Sequence, residues 1–282
     1  MNTTREFRNA PLPFMGQKRK FLKKVKEIIV DHPADCTYVD LFGGSGLLSH
    51  TIKKSVPTAR VIYNDFDNYR ERLANIKQTN ALLHDIRQIV TGLPKDKKIG
   101  ANERCLILDR VRREEIEKGY VDFITVSSSI LFSMKYVTSM AELERETLYN
   151  VVRESDYDAT GYLDGVEIEC MDYKAMFEKY KGGQNVVWLV DPPYLSTETG
   201  TYKSSYWKLK DYLDVLNVLD GTNYLYFTSN KSQIVELCEW IETRTATANP
   251  FYGATTSTMA VQMNHSAKYT DMLLFKYDFK EK

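Results

Sequence analysis

The sequence predicts an α/β fold: an open, mostly parallel sheet with helices on both faces. Five short apolar runs have the continuous hydrophobicity of strands covered on both sides. Helical stretches alternate with them, which is the pattern of a doubly wound sheet rather than a sandwich. A long gap between the second and third runs has room for an inserted module.

In chain order, the first strand is Tyr38–Phe42, followed by a helix over Leu47–Lys54. The second strand, Arg60–Asn64, leads into a helix over Asn68–Arg87. Strands at Val166–Cys170, Val186–Val190 and Tyr224–Thr228 complete the five. Helices at Lys208–Leu219 and Ser232–Glu242 flank the last of them, and Thr270–Tyr277 reads as a further strand. The gap from Pro94 to Gly161 holds a strongly helical piece, Asn102–Lys118, then Tyr120–Tyr136 with a run of three serines. These features define a catalytic domain over 1–93 and 162–282, with a small, mostly helical recognition module over 94–161 inserted into it.

Composition narrows the class. Of 282 residues, 43% are hydrophobic and 27% charged, which is globular and not disordered. No apolar run is long enough for a membrane helix and no signal-like core follows Met1, so a cytoplasmic protein is expected. Cys36, Cys105, Cys170 and Cys238 are scattered, without metal-ligand spacing to histidine, so reduced and mostly buried thiols are expected and no metal site. The net charge is zero. Locally, though, Arg5, Arg8, Lys18, Arg19, Lys20, Lys23, Lys24 and Lys26 stand against only Glu6 and Glu27. Such a stretch is either a phosphate-binding patch or a solvated helix face.

Three motifs carry chemistry. Asp40-Leu41-Phe42-Gly43-Gly44-Ser45-Gly46 closes a strand and opens a helix, where glycines permit a sharp turn and close approach to a ligand. Asp65 ends the next strand, where a carboxylate accepts from ribose hydroxyls. The dinucleotide fingerprint would need glycine at Ser49, and Asp40 suits a cationic, methionine-bearing ligand better than a pyrophosphate. The second motif, Asp191-Pro192-Pro193-Tyr194, follows a buried strand. Its prolines remove two backbone donors. Carbonyls and a carboxylate are then left as acceptors for an exocyclic NH2, beside a tyrosine face for a planar base. The third, Pro13-Phe14-Met15-Gly16-Gln17-Lys18, reads either as a ligand-contacting element or as a plain loop before a helix.

In this order the motifs resemble the Dam-type DNA adenine-N6 methyltransferases. The resemblance implies a Rossmann-like class I methyltransferase sheet, S-adenosylmethionine as cofactor, and methyl transfer to adenine N6 in double-stranded DNA by base flipping. It implies cofactor contacts from Phe14, Met15, Gly16, Lys18, Asp40, Phe42, Gly43 and Gly46. Of these, Met15, Gly16 and Lys18 would face the methionine part. Asp65 would take the ribose hydroxyls, Phe66 the cofactor adenine ring, and Asp172 its amino group, although Asp172 is also placed to cap a helix. Asp191, Pro192, Pro193 and Tyr194 would hold the target base. A cognate restriction endonuclease is a conceivable partner. The N-terminal element departs from the family's W-x-G-G-K, with Phe14-Met15-Gly16-Gln17-Lys18 in its place. Tyr202, Tyr206 and Trp207 would either stack on bases or pack in the core, and Ser229-Asn230 are candidates for the pocket wall. An amino-group methyltransferase acting on RNA or protein, and a catalytically silent DNA-binding relative, are the alternatives.

Overall fold

The computed structural model describes residues 5–132, 135–194, 207–244, 249–262 and 268–279. Its chain divides into two compact units.

The first unit comprises residues up to Asn9, Gln17–Asp67 and Gly161 onward. Its elements are α1 (Leu22–Ile29), β1 (Thr37–Asp40), α2 (Leu47–Ser55) and β2 (Arg60–Asn64). In the second unit follow α3 (Tyr69–Ala74), α4 (Ile76–Ile89), α5 (Ala101–Lys118), α6 (Phe123–Ile130) and α7 (Met140–Leu143). The first unit then resumes with β3 (Glu167–Glu169), α8 (Tyr173–Tyr180), β4 (Val186–Val190), α9 (Leu209–Leu219), β5 (Asn223–Ser229), α10 (Ile234–Arg244), β6 (Thr255–Gln262) and β7 (Lys268–Lys276). The strands form one seven-stranded sheet in the order β3-β2-β1-β4-β5-β7-β6. β1 to β5 run parallel, and β7 pairs antiparallel with both β5 and β6. The expected Rossmann-like sheet is therefore present, closed at one edge by an antiparallel pair.

Alternation along each strand explains the layers. Val39, Ile62, Trp188, Val190, Tyr224 and Tyr226 share a core with Met176 of α8, Val215 and Val218 of α9, and Ile234 and Cys238 of α10. Residues one position out of phase face the other way: Phe227 meets Phe21, just before α1, edge to face at 5.6 Å. Helices thus cover both faces. All five residues of β4 are buried, as a central parallel strand requires.

Four points of the sequence reading need correction. The third run is not buried: β3 is the edge strand, and Glu167 and Glu169 on it pair with Arg60 and Lys179. The helix drawn over Asn68–Arg87 breaks at Asn75, whose side-chain amide donates to the Glu71 carbonyl and competes with the helical ladder. β6 was not anticipated, because its threonine-rich sequence lacks a hydrophobic alternation. Two of the four cysteines, Cys105 and Cys170, are exposed rather than buried.

The second unit comprises Ala10–Gly16 and Asn68–Thr160. It is helical, but it opens at Asn68 rather than at Pro94, and it takes in a piece from near the N-terminus. One buried network explains why. The Arg72 guanidinium lies 3.1 Å from both Asp122 oxygens and also donates to Thr125 Oγ1 and to the Pro13 carbonyl. Tyr69 Oη accepts from Leu12 N at 3.0 Å, and its ring meets Phe14 edge-on. Asp122 also caps α6 by accepting from Thr125 N. Asp122→Ala strands a buried guanidinium and removes a cap, and loss of one partner of a buried pair costs roughly 3–5 kcal/mol. Thermal denaturation of Asp122→Ala should show the second unit melting well below wild type, with Asp122→Asn intermediate.

Candidate active site

β1 and β4 pair in parallel with Asp40 opposite Leu189. The chain runs from β1 toward β2 on one side and from β4 toward β5 on the other. Their C-terminal ends therefore form a switch point, the place where open α/β sheets bind ligands. Both acidic motifs leave the sheet there.

Asp40 ends β1 and is 1% exposed. One of its carboxylate oxygens accepts from Ser49 Oγ at 2.7 Å, and the other has no hydrogen-bond partner among the described residues. Burial pushes this carboxyl up to about 7. The Ser49 hydrogen bond opposes that shift, and the charge of Asp191 reinforces it. Beyond Asp40 the loop turns on Gly44 and Gly46, at φ 51° and 72°, a left-handed conformation that favours glycine. At Gly43 a Cβ would stand 2.2 Å from the Tyr63 ring, so no larger residue fits. Tyr63 in turn donates to Gly44 O and Asp65 Oδ1, at 2.7 and 2.9 Å, tying the glycine loop to the end of β2. Asp65 is buried, and the Phe66 ring beside it is 45% exposed. Asn64 bridges the Leu41 and Met171 backbones.

Asp191 follows β4. Its carboxylate receives Lys18 Nζ at 2.7 Å, with side-chain exposures of 8% for Lys18 and 17% for Asp191. Burial pushes Asp191 up to about 6 against the attraction of Lys18, and Asp271 adds to the rise. The Tyr194 ring lies 5.2 Å from the Lys18 ammonium, and its hydroxyl donates to Asp271 Oδ1 at 3.5 Å. Burial holds that hydroxyl far above its ordinary range. Pro192 is buried between these groups in sequence. Asp271 belongs to β7 opposite Ser229 of β5, so Ser229 lies beside this cluster while Asn230 is taken up in pairing with Thr270. Phe42, Trp207, Tyr173 and Tyr212 form an aromatic wall, with Phe42 5.0 Å from Tyr173 and Trp207 5.0 Å from Tyr212. Of the three aromatics considered for base stacking, Trp207 is spent on packing, and Tyr202 and Tyr206 lie outside the described residues.

The remaining candidates are placed as follows. Asp172 is exposed and accepts from Lys174 N at 2.9 Å, so its capping role is realised. Phe14, Met15 and Gly16 belong to the helical unit, and Lys18 belongs to the sheet unit. The N-terminal basic stretch is largely engaged within the protein: Lys26 pairs with Glu6, Lys24 with Glu27, and Lys20 donates to Ala260 O. Residues the motif reading missed are Ser49, Tyr63, Asn64 and Asp271. Asp271 and Asn64 carried a legible signal, a polar side chain inside an apolar strand, since burying such a group requires a partner.

A glycine loop and an acidic-diproline-tyrosine corner sharing one switch point suit a nucleoside-bearing cofactor on one side and a planar amino-bearing base on the other. Residues 14–230 match the profile of the D12 class N6 adenine-specific DNA methyltransferases. The chain belongs to that family. A Haemophilus influenzae (strain Rd) protein, whose own description as a methyltransferase is provisional, is 37% identical over 98% of this chain and 95% of its own length. Among solved structures, a precorrin-6y C5,15-methyltransferase from Geobacter metallireducens covers 97% of each chain at 8% identity and a TM-score of 0.37, too distant to carry an argument. The chain is thus an adenine-specific DNA methyltransferase by family. No helix among the described residues is long and apolar enough to cross a membrane.

The buried acids of this methyltransferase make its ligand-free stability depend on pH. The Asp40 carboxyl sits at about 7 in the folded protein against an ordinary value of 3.8. A pKa raised by folding means that the folded state binds more protons between those values. The contribution of Asp40 to stability is therefore fully present below about pH 4 and is lost as pH rises through 7. Asp40→Asn should flatten this decline, matching wild type in melting temperature near pH 4.5 and exceeding it at pH 8 in a pH series of thermal melts.

Proposed function

We propose that this family member transfers a methyl group from S-adenosylmethionine to the N6 amino group of adenine in double-stranded DNA, at specific sites and by flipping the base. The observation that carries the reading is the adjacency of Asp40 and Asp191 at one switch point, which lets cofactor and target share a site.

The residues present fit such a cofactor. Asp40 has a buried carboxylate oxygen without a hydrogen bond among the described residues, an acceptor suited to the cationic methionine end. Asp65, held by Tyr63, suits ribose hydroxyls, and the exposed Phe66 ring suits an adenine face. Asp172 is offered for the adenine amino group alongside its capping bond. Gly43 and Gly46 keep the loop free of side chains next to Phe42. Phe14, Met15 and Gly16 are carried over from the family motif alone. When bound, the cofactor supplies a sulfonium methyl, an electrophile that needs only an aligned lone pair.

The protein's task is to create that lone pair. An adenine amino nitrogen donates its electrons into the ring, so it is a poor nucleophile. Hydrogen bonds from N6–H to Asp191 and to the Pro192 carbonyl localise the pair on nitrogen. Pro193 stiffens the turn. Tyr194 stacks on the base, and base stacking on aromatics contributes roughly 1–3 kcal/mol, which offsets part of the few kcal/mol needed to flip a paired base. Asp191, already raised to about 6, accepts the proton that N6 must shed. Placement and electrostatics carry the reaction, with no covalent enzyme intermediate.

Expression in a host lacking N6-methyladenine, followed by methylation-sensitive sequencing, tests the reading. Modified adenines in one short sequence context are expected. Asp191→Ala should lower turnover by about a hundred- to a thousandfold in protein that still folds, with a lower melting temperature because the buried Lys18 ammonium loses its partner. Methyl transfer to RNA or protein, with DNA unmodified, would overturn it, as would near-normal turnover by Asp191→Ala.

A further inference from the structure

We infer that Lys18 is a positioning residue for Asp191: it holds one carboxylate oxygen so that the other stays anionic and aimed at the amino group of the target base. The inference rests on the reading of Asp191 given above. It gives Lys18 a role apart from the methionine end of the cofactor, where the family resemblance alone would put it.

Lysine is almost never this buried unless it is paired. Here its ammonium is 8% exposed and 2.7 Å from one Asp191 oxygen. Its place is fixed from several sides. Phe21 N donates to the Lys18 carbonyl at 2.8 Å, and Phe21 packs on Phe227. The ammonium itself sits 5.2 Å from the Tyr194 ring and 6.0 Å from that of Phe227, within cation–π range of both. Lys18 therefore orients two parts of the proposed base holder, the carboxylate and the stacking ring.

Asp191 is faced by Asp40 from β1, Asp271 from β7, its neighbour Tyr194, and Tyr226 from β5. The other nearby basic residues point elsewhere: Lys20 donates to Ala260 O and reaches only the field of Asp271, and Arg19 donates to Asn9. Among the described residues, Lys18 is the cation in direct contact with Asp191. Without it, burial and two neighbouring acids favour the protonated carboxyl, whose O–H is a donor where the base needs an acceptor. Asp191 has two oxygens, so it can keep Lys18 on one while receiving N6–H on the other.

Single-turnover methylation of duplex DNA by the full chain, from pH 6 to 9, tests this with Lys18→Met and Lys18→Arg. In Lys18→Met the acid limb should rise by about one pH unit or more, a tenfold loss at fixed pH on that limb. Activity should partly recover at pH 9, and Lys18→Arg should restore the wild-type profile. Cofactor Kd, measured by equilibrium dialysis, should stay within about threefold, since tenfold is the scale of one lost ionic contact. An unmoved limb with cofactor binding weakened tenfold or more would place Lys18 on the cofactor and overturn the inference. A second measurement needs no activity. At pH 8, Lys18→Met should lower the melting temperature, and adding Asp191→Asn should recover most of the loss. Additive losses would show that the two side chains are uncoupled. If the wild type methylates no DNA, the function reading falls, and the melting cycle still judges the ion pair.

Discussion

Parallel pairing of β1 with β4 is the constraint on which the rest of the site depends. It places Asp40 opposite Leu189, so two chain segments far apart in sequence leave the sheet side by side. Each departs through a turn that spends backbone freedom differently. The glycine loop uses left-handed φ at Gly44 and Gly46, bringing bare backbone close to whatever binds there. The Asp191-Pro192-Pro193 corner removes donors and fixes φ. One turn is permissive and the other rigid. Under the proposed function, the first would accommodate a cofactor along its length and the second would hold a reacting amino group at one point.

The acids at this junction are costly to keep. Asp40 and Asp191 are buried near each other, and both are pushed toward protonation. Functional sites are where such arrangements persist, because a ligand of opposite charge makes use of the unfavourable field. In the proposed reaction a sulfonium cofactor would bring a positive charge, which methyl transfer would move onto the base nitrogen. A cluster of carboxyls only partly neutralised by one lysine is a field that would suit both ends of that reaction. A site built for phosphates would show the reverse, with basic side chains and helix amides turned inward.

Much of this was legible from residues alone, and the limits have physical causes. The central strands were readable because full burial demands continuous apolar sequence, as in Val186–Val190. At the edges, β3 was located at Val166–Cys170 but taken as buried, and β6 was missed. β3 carries charges that pair across its surface, and β6 is mostly exposed and satisfies only one neighbour. The motifs at the ends of β1, β2 and β4 were readable because turn chemistry and acid placement are local. The partners of those acids were hidden. Ser49 stands nine residues beyond Asp40 and Asp271 lies in another strand, so only the folded register joins them to the site. Lys18 was expected from its motif at the methionine end of the cofactor, and its burial on Asp191 could be seen only in the fold.

The same limit governs the helical unit. Periodicity located α5 well, because an eighteen-residue helix has enough turns to declare itself. It could not reveal that Ala10–Gly16 packs with α3 and α6, since that contact rests on one guanidinium shared among Asp122, Thr125 and Pro13 and on Tyr69 meeting Leu12 and Phe14. Arginine at such a spot is specified by geometry: its donors sit on separate nitrogens of a fixed fork and reach a carboxylate, a hydroxyl and a carbonyl from different points, whereas the three donors of lysine radiate from one atom. The motif element Pro13–Lys18 is consequently divided, with its first half held by the Arg72 network and its lysine held by Asp191. Residues adjacent in sequence thus answer to different anchors, one in each unit.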